Sequence, residues 1–280
     1  MRAVTQSTKW AEEQLLRAER YLGRKLFSTP FLEGDRRMLF VFGHMRTGSS
    51  LLVHILTTHP SIVGYGETHN VYTGPEDFGA TTANVYRHLR TVPQKGRYVL
   101  DKVLHKYQIA RPEAVLSAFC VRILFMIRCP CPALSSILRK LDYIQSPEQA
   151  YEHFAEQVDW VRAMAEFVPA DRWTYTTYSG LTQNTDYSGL TQNTDQELSR
   201  LESFLELSTP LSERYETNRY TGVLGVGDSG DHIEAGYIKR DIDREIDPRI
   251  RPYLSRAKEK FEDCLYALRE ESSRKQGSPA

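Results

Sequence analysis

Phe40-Val41-Phe42-Gly43-His44-Met45-Arg46-Thr47-Gly48-Ser49-Ser50-Leu51-Leu52 is the stretch from which the reading starts. Met38–Phe42 is a short, bulky apolar run that stops at Gly43, as a buried strand does. Ser49–Thr58 (SSLLVHILTT) reads as a helix that ends before Pro60. Strand, Gly-to-Gly loop and helix therefore follow one another without a gap. The free backbone N–H groups at such a helix start attract phosphate, and the helix dipole adds to the attraction. Gly43 and Gly48 let the backbone approach a ligand closely. Arg46 adds a fixed positive charge with forked donors, and Thr47, Ser49 and Ser50 add hydroxyls.

The loop of nucleotide triphosphatases, G-x-x-x-x-G-K-[ST], is the obvious competitor. The two glycines here have its spacing, but Ser49 stands where its lysine belongs. That lysine reaches the β- and γ-phosphates, and the next hydroxyl holds magnesium. In this chain the cation lies inside the loop, at Arg46. This favours a phosphate ligand handled without triphosphate chemistry.

Working outward, residues 8–27 read as an amphipathic helix within an N-terminal region, 1–30. Arg97–Leu104, Val121–Ile127 and Arg172–Tyr178 read as further strands. Leu134–Leu141, Glu148–Phe167, Gln196–Leu205 and Ile250–Glu271 read as helices, the last within a C-terminal helix and tail, 245–280. Strands alternating with helices predict an α/β fold, a central parallel sheet flanked by helices, in one domain over 1–280. Tyr178–Asp186 reads YSGLTQNTD, and Tyr187–Asp195 repeats it. Two nine-residue copies are too few for a solenoid, so 178–195 is expected to be a duplicated polar surface loop.

The chain has 280 residues, 40% hydrophobic and 26% charged, enough for a sizeable core. Its 36 basic and 36 acidic side chains cancel, which excludes a globally basic nucleic-acid binder. The balance is uneven along the chain. Residues 81–140 carry 11 basic and 2 acidic side chains; residues 141–216 carry 4 and 14. The longest apolar runs have five residues, against about 20 for a membrane span. The first thirty residues lack the apolar block of a signal peptide. Four cysteines, two of them as Cys129-Pro-Cys131, form neither a disulfide scaffold nor a C-x-x-C motif. They read as reduced thiols of a cytoplasmic protein. No H-E-x-x-H occurs among the eight histidines, and no metal site is expected. Gly227-Asp228-Ser229-Gly230 has the look of a protease nucleophile segment, but that fold is all-β.

Arg46-Thr47-Gly48-Ser49-Ser50-Leu51-Leu52 resembles the phosphosulfate-binding loop of the sulfotransferases, [K/R]-[S/T]-G-[S/T]-[S/T]-x-L. These enzymes use 3′-phosphoadenosine 5′-phosphosulfate (PAPS). The resemblance implies the P-loop-like sulfotransferase fold, with Arg46, Thr47, Gly48, Ser49 and Ser50 around the 5′-phosphosulfate. The family's second signature, a strand ending in R-x-P-x-x-x-x-x-S, resembles Arg128-Cys129-Pro130 followed by Ser136. It implies that Arg128 and Ser136 bind the 3′-phosphate. An arginine at a strand's carboxyl end also sits where α/β sheets bind ligands. The family's usual charged residue and Asp in this turn are replaced by Cys131 and Pro132. Tyr178-Ser-Gly-Leu181 resembles the family's Y-x-x-L, with the tyrosine near the adenine; Tyr187 has the same form, and Tyr178 is preferred because it follows the strand directly. Thr221–Gly230 with Lys239 and Arg240 resembles a glycine-rich loop that closes over the nucleotide.

Sulfuryl transfer needs a base for the acceptor proton, in-line positioning, and charge stabilisation at the leaving phosphate. Arg46 and the loop amides supply the last. Glu67, in Gly64-Tyr-Gly-Glu-Thr-His69, resembles the base of some bacterial and carbohydrate sulfotransferases. Lys102-Val-Leu-His105 resembles the K-x-H element of the cytosolic enzymes with one extra residue. There His105 is the base and Lys102 touches the transferring group. The base stays open among Glu67, His69 and His105, with Glu67 favoured for its place nearest the phosphate helix in sequence. The expected activity is transfer of sulfonate from PAPS to a hydroxyl, secondarily an amine, of a small-molecule, carbohydrate or lipid acceptor. The competing readings are a small-molecule or nucleotide kinase and an inactive nucleotide-binding module.

Overall fold

The computed structural model describes residues 14, 17–90, 97–182, 194–217, 221, 233–239 and 246–274. Five strands form one sheet: β1 (Arg37–Gly43), β2 (Ile62–Val63), β3 (Tyr98–Val103), β4 (Val121–Ile127) and β5 (Trp173–Thr177). Their order is β2-β3-β1-β4-β5, and every pairing is parallel. Parallel sheets are covered on both faces, which is why β1 and β4 read as unbroken apolar runs.

Side-chain parity sorts the two faces. Phe40, Phe42, Val99, Val103, Ile123, Phe125 and Ile127 pack on one. The helices α4 (Asp77–Leu89), α6 (Pro130–Lys140), α7 (Pro147–Ala165) and α10 (Leu254–Arg274) supply buried residues to that core. Leu39, Val41, Leu100, Leu124 and Met126 face the other way, against α3 (Ser49–Thr58) and α9 (Thr194–Leu205). Lys102 continues the parity of Leu100, and Arg128 that of Leu124 and Met126. Both cations therefore emerge on the α3 face, at the carboxyl edge of the sheet. The chain leaves β1, builds β2 and β3 on one side and crosses to β4 on the other. The Gly43–Ser50 loop lies at that reversal, the place where open α/β sheets bind ligands.

Several expected boundaries shift. The helix expected from Leu134 starts at Pro130, because proline at the first helical position lacks only an N–H that has no helical partner. The helix expected over 8–27 is described over 17–27 (α1) and breaks at Ser28; a short α2 (Thr29–Leu32) follows. The expected C-terminal helix opens with a 3-10 turn, Pro248–Tyr253, which contains Pro252. Helix α4 and the short α5 (Pro112–Leu116) had no counterpart in the sequence reading. The loop expected over 178–195 is corrected at both ends. Tyr178–Thr182 is a helical turn, α8, with Leu181 fully buried, and Thr194 and Asp195 begin α9. Apolar contact with the α3-side core overrides the polar composition there. Residues 183–193 lie outside the described residues. Among the described residues, no helix is long and apolar enough to cross a membrane.

Candidate active site

The loop after β1 is held from inside. The Thr47 amide bonds the His44 carbonyl, and the Ser49 amide donates to Thr47 Oγ1 at 3.2 Å. Arg46 and Gly48 have φ of 65° and 93°, and Gly48 leads directly into α3. A Cβ on Gly48 would lie 2.6 Å from Tyr178 Cε2 and closer still to Cδ2. Glycine is thus required twice, for its backbone angle and for the ring packed against it. His44 is fully buried, with Nε2 accepting from the Arg128 amide at 3.2 Å and Nδ1 2.8 Å from the Met45 carbonyl. These partners place the ring proton on Nδ1. Burial, reinforced by the Arg128 charge, lowers its pKa to about 4, so the ring is neutral.

Around this loop the fold gathers the expected residues. Arg46 Nε donates to Ser136 Oγ, on α6, at 3.0 Å. Arg128 donates to the Arg46 carbonyl at 3.1 Å and lies 4.0 Å above the Tyr178 ring, a cation–π contact. Lys102, almost fully buried, donates to Ser50 Oγ at 3.2 Å and pairs with Glu67 Oε1 at 3.1 Å. The other oxygen, Oε2, faces His105 Nε2 at 3.7 Å and His69 Nδ1 at 4.0 Å. Three cations and one carboxylate, drawn from the loop after β1, from β3, from the end of β4 and from the segment after β2, share one edge of the sheet.

Second contacts hold this arrangement. Asp101, beside Lys102 but on the opposite face, accepts from the Thr68 amide and hydroxyl at 2.8 Å and from Tyr72 at 2.6 Å. This clamps the residue next to Glu67. Burial pushes the Asp101 carboxyl up to about 6, against the lowering effect of these bonds. Asp101 is legible in the sequence as an acid inside an apolar strand, a position that calls for buried partners. Gln108, fully buried, accepts from the Leu104 and His105 amides and fixes the turn that carries His105. Burial lowers the His105 pKa, although the nearby Glu67 opposes this.

Of the glycine-rich segment, Thr221 is described, and its hydroxyl lies 2.8 Å from His54 Nε2 on α3. Lys239 follows Ile238, whose amide bonds the Glu213 carbonyl; no described contact brings Lys239 to the loop. Arg240 and Tyr187 lie outside the described residues. All four cysteines are free thiols; burial raises the pKa of each, to about 12 at Cys264.

No family model and no curated protein matches this sequence. Among solved structures the chain is similar to the sulfotransferase domain from the curacin biosynthetic pathway. The match has 16% identity and a TM-score of 0.53, and it covers 79% of this chain and 97% of that one. At that identity the likeness is one of fold.

Proposed function

We propose that this protein is a PAPS-dependent sulfotransferase that moves sulfonate to a hydroxyl by in-line attack, with an amine as the secondary acceptor. The acceptor would be a small molecule, carbohydrate or lipid. The observation that carries the reading is the position of Lys102, whose buried ammonium touches both Ser50, at the start of the phosphate-type helix, and Glu67. An anion site and a carboxylate base are thereby held within one side chain of each other.

The residues fit a doubly phosphorylated nucleotide. Arg46 and the amides of Gly48–Ser50 are suited to the 5′-phosphosulfate. Arg128 and Ser136, both in contact with Arg46, are suited to the 3′-phosphate, and the Tyr178 ring lies against Arg128. PAPS would supply the sulfonate and a leaving phosphate. Glu67 takes the acceptor proton as the acceptor oxygen bonds to sulfur and the bond from sulfur to the 5′-phosphate oxygen breaks. The pair from that bond leaves with adenosine 3′,5′-bisphosphate, whose charge Arg46 and Lys102 offset. Glu67 rather than His105 is the base, because Lys102 ties Glu67 to the loop, whereas His105 reaches it through Glu67. His105 is then a positioning residue for that carboxylate.

The test pairs calorimetry with transfer of labelled sulfonate from PAPS to an acceptor panel. Adenosine 3′,5′-bisphosphate should bind at least tenfold more tightly than adenosine 5′-phosphate. Glu67→Gln should retain that binding and lose transfer by about 100-fold or more, the scale of a positioned base. Magnesium-dependent turnover of ATP without bisphosphate binding would make the protein a kinase. Tight binding with no transfer to any acceptor would make it a binding module.

A further inference from the structure

From the same carboxylate we infer a metal site that the proposed reaction does not use: Glu67, His69 and His105 form a three-ligand site for a borderline divalent cation of the zinc type. One oxygen of Glu67 is taken by Lys102, and the other is presented to a nitrogen of each imidazole. The separations of 3.7 and 4.0 Å exceed hydrogen-bond length. The ligand atoms nonetheless lie within 4.8 Å of one another. For a triangle with sides of 3.7, 4.0 and at most 4.8 Å, the point equidistant from the three atoms is about 2.5 Å or less from each, against zinc bonds of about 2.0–2.2 Å. The three atoms are thus spaced for an ion between them, needing only a few tenths of an ångström of contraction. The His69 side chain is 43% exposed and that of His105 is 28% exposed, so the site has an entry from solvent and room to adjust.

The donor set selects the cation. Two imidazoles and one carboxylate with an open fourth position suit zinc, cobalt or nickel, whereas magnesium requires oxygen ligands. Lys102, at 3.1 Å from the other carboxylate oxygen, repels a cation and weakens the site relative to a structural zinc centre. Sequence alone hides the grouping, because Glu67 and His69 precede α4 and His105 follows β3.

A bound ion would occupy the lone pair that Glu67 needs as a base, so zinc would inhibit transfer. That consequence rests on the proposed function; the site itself does not. The test uses the full chain after chelation and dialysis, titrated calorimetrically with zinc and followed by visible absorption with cobalt. One equivalent should bind, with a cobalt band in the range of four or five nitrogen and oxygen ligands, while magnesium gives no heat. His69→Asn suits the left-handed backbone at this position, φ 55°. It should weaken zinc by roughly tenfold or more, the scale even for lost outer partners. Its inhibition by zinc, measured relative to its own activity in chelator, should move to at least tenfold higher zinc. Absence of saturable one-to-one binding overturns the site. So does equal affinity in His69→Asn, which would locate the metal elsewhere, as at Cys129 and Cys131. The binding experiment needs no turnover, so it decides the site even if sulfonate transfer is never observed.

Discussion

Gly48→Ala tests the most crowded point of the loop. Its magnitude has two parts. An alanine at φ 93° is held outside the right-handed and extended regions, at a cost of roughly 1–2 kcal/mol. Its Cβ would also meet the Tyr178 ring at 2.6 Å and less. The ring must move, and it takes with it the Arg128 contact at 4.0 Å, worth about 0.5–2 kcal/mol. The two parts together come to about 1.5–4 kcal/mol. In a chain of this size each kcal/mol lowers Tm by about 2 °C, so the expected drop is about 3–8 °C by calorimetry or dye fluorescence. The same substitution in a Tyr178→Ala background separates the parts. Without the ring, Gly48→Ala should cost only the backbone share, about 1–2 kcal/mol. An equal cost in both backgrounds would refute the ring contact and, with it, the placement of Tyr178 beside the loop.

Three further outcomes are expected. Arg128→Ala should weaken adenosine 3′,5′-bisphosphate at least tenfold more than adenosine 5′-phosphosulfate by calorimetry; equal weakening would remove its assignment to the 3′-phosphate. His44 folds with a pKa of about 4 against 6.5, so its contribution to stability is complete above pH 6.5 and is lost as pH falls towards 4. The loss at pH 5 is about 2 kcal/mol by linkage. His44→Gln keeps an acceptor for the Arg128 amide, and its Tm should fall less than the parent's between pH 7 and pH 5. Asp101, raised to about 6, acts in the opposite direction in both proteins and cancels in that comparison. Deleting one YSGLTQNTD copy should leave the fold intact. Thr194 Oγ1 bonds the Leu181 carbonyl at 3.4 Å across thirteen positions. Removal of nine turns that contact into a four-residue spacing, the hydroxyl-to-carbonyl pattern that Thr182 already makes with Tyr178. A large drop in Tm would show that the second copy is packed.

The polar and apolar patterns show which links were readable. Ser49–Thr58 and Val121–Ile127 were bounded correctly from sequence, because glycine, proline and abrupt changes in polarity mark their ends. Helix α4 is hard to read from sequence: Phe78, Val85 and Tyr86 are buried, but two threonines, one alanine and a glycine share the buried face and blur its period. Tyr178–Thr182 is helical through the contact of Leu181 with the α3-side core, which composition does not reveal. The basic block at 81–140 acquires a partial meaning, since Lys102 and Arg128 both leave the sheet on the face of α3.

The linear order of residues determined by itself that a strand, a glycine-bounded loop and a helix succeed one another, and that the loop carries Arg46 in place of a helix-start lysine. Those are local properties, written in spacing and backbone freedom. Only the tertiary structure decided that Glu67, Lys102 and His105 meet, that Arg128 stacks on Tyr178, and that His69 joins the same carboxylate. Such contacts depend on strand order and on which face of the sheet each residue takes. Both are settled by the packing of distant apolar segments, which no short stretch of sequence contains.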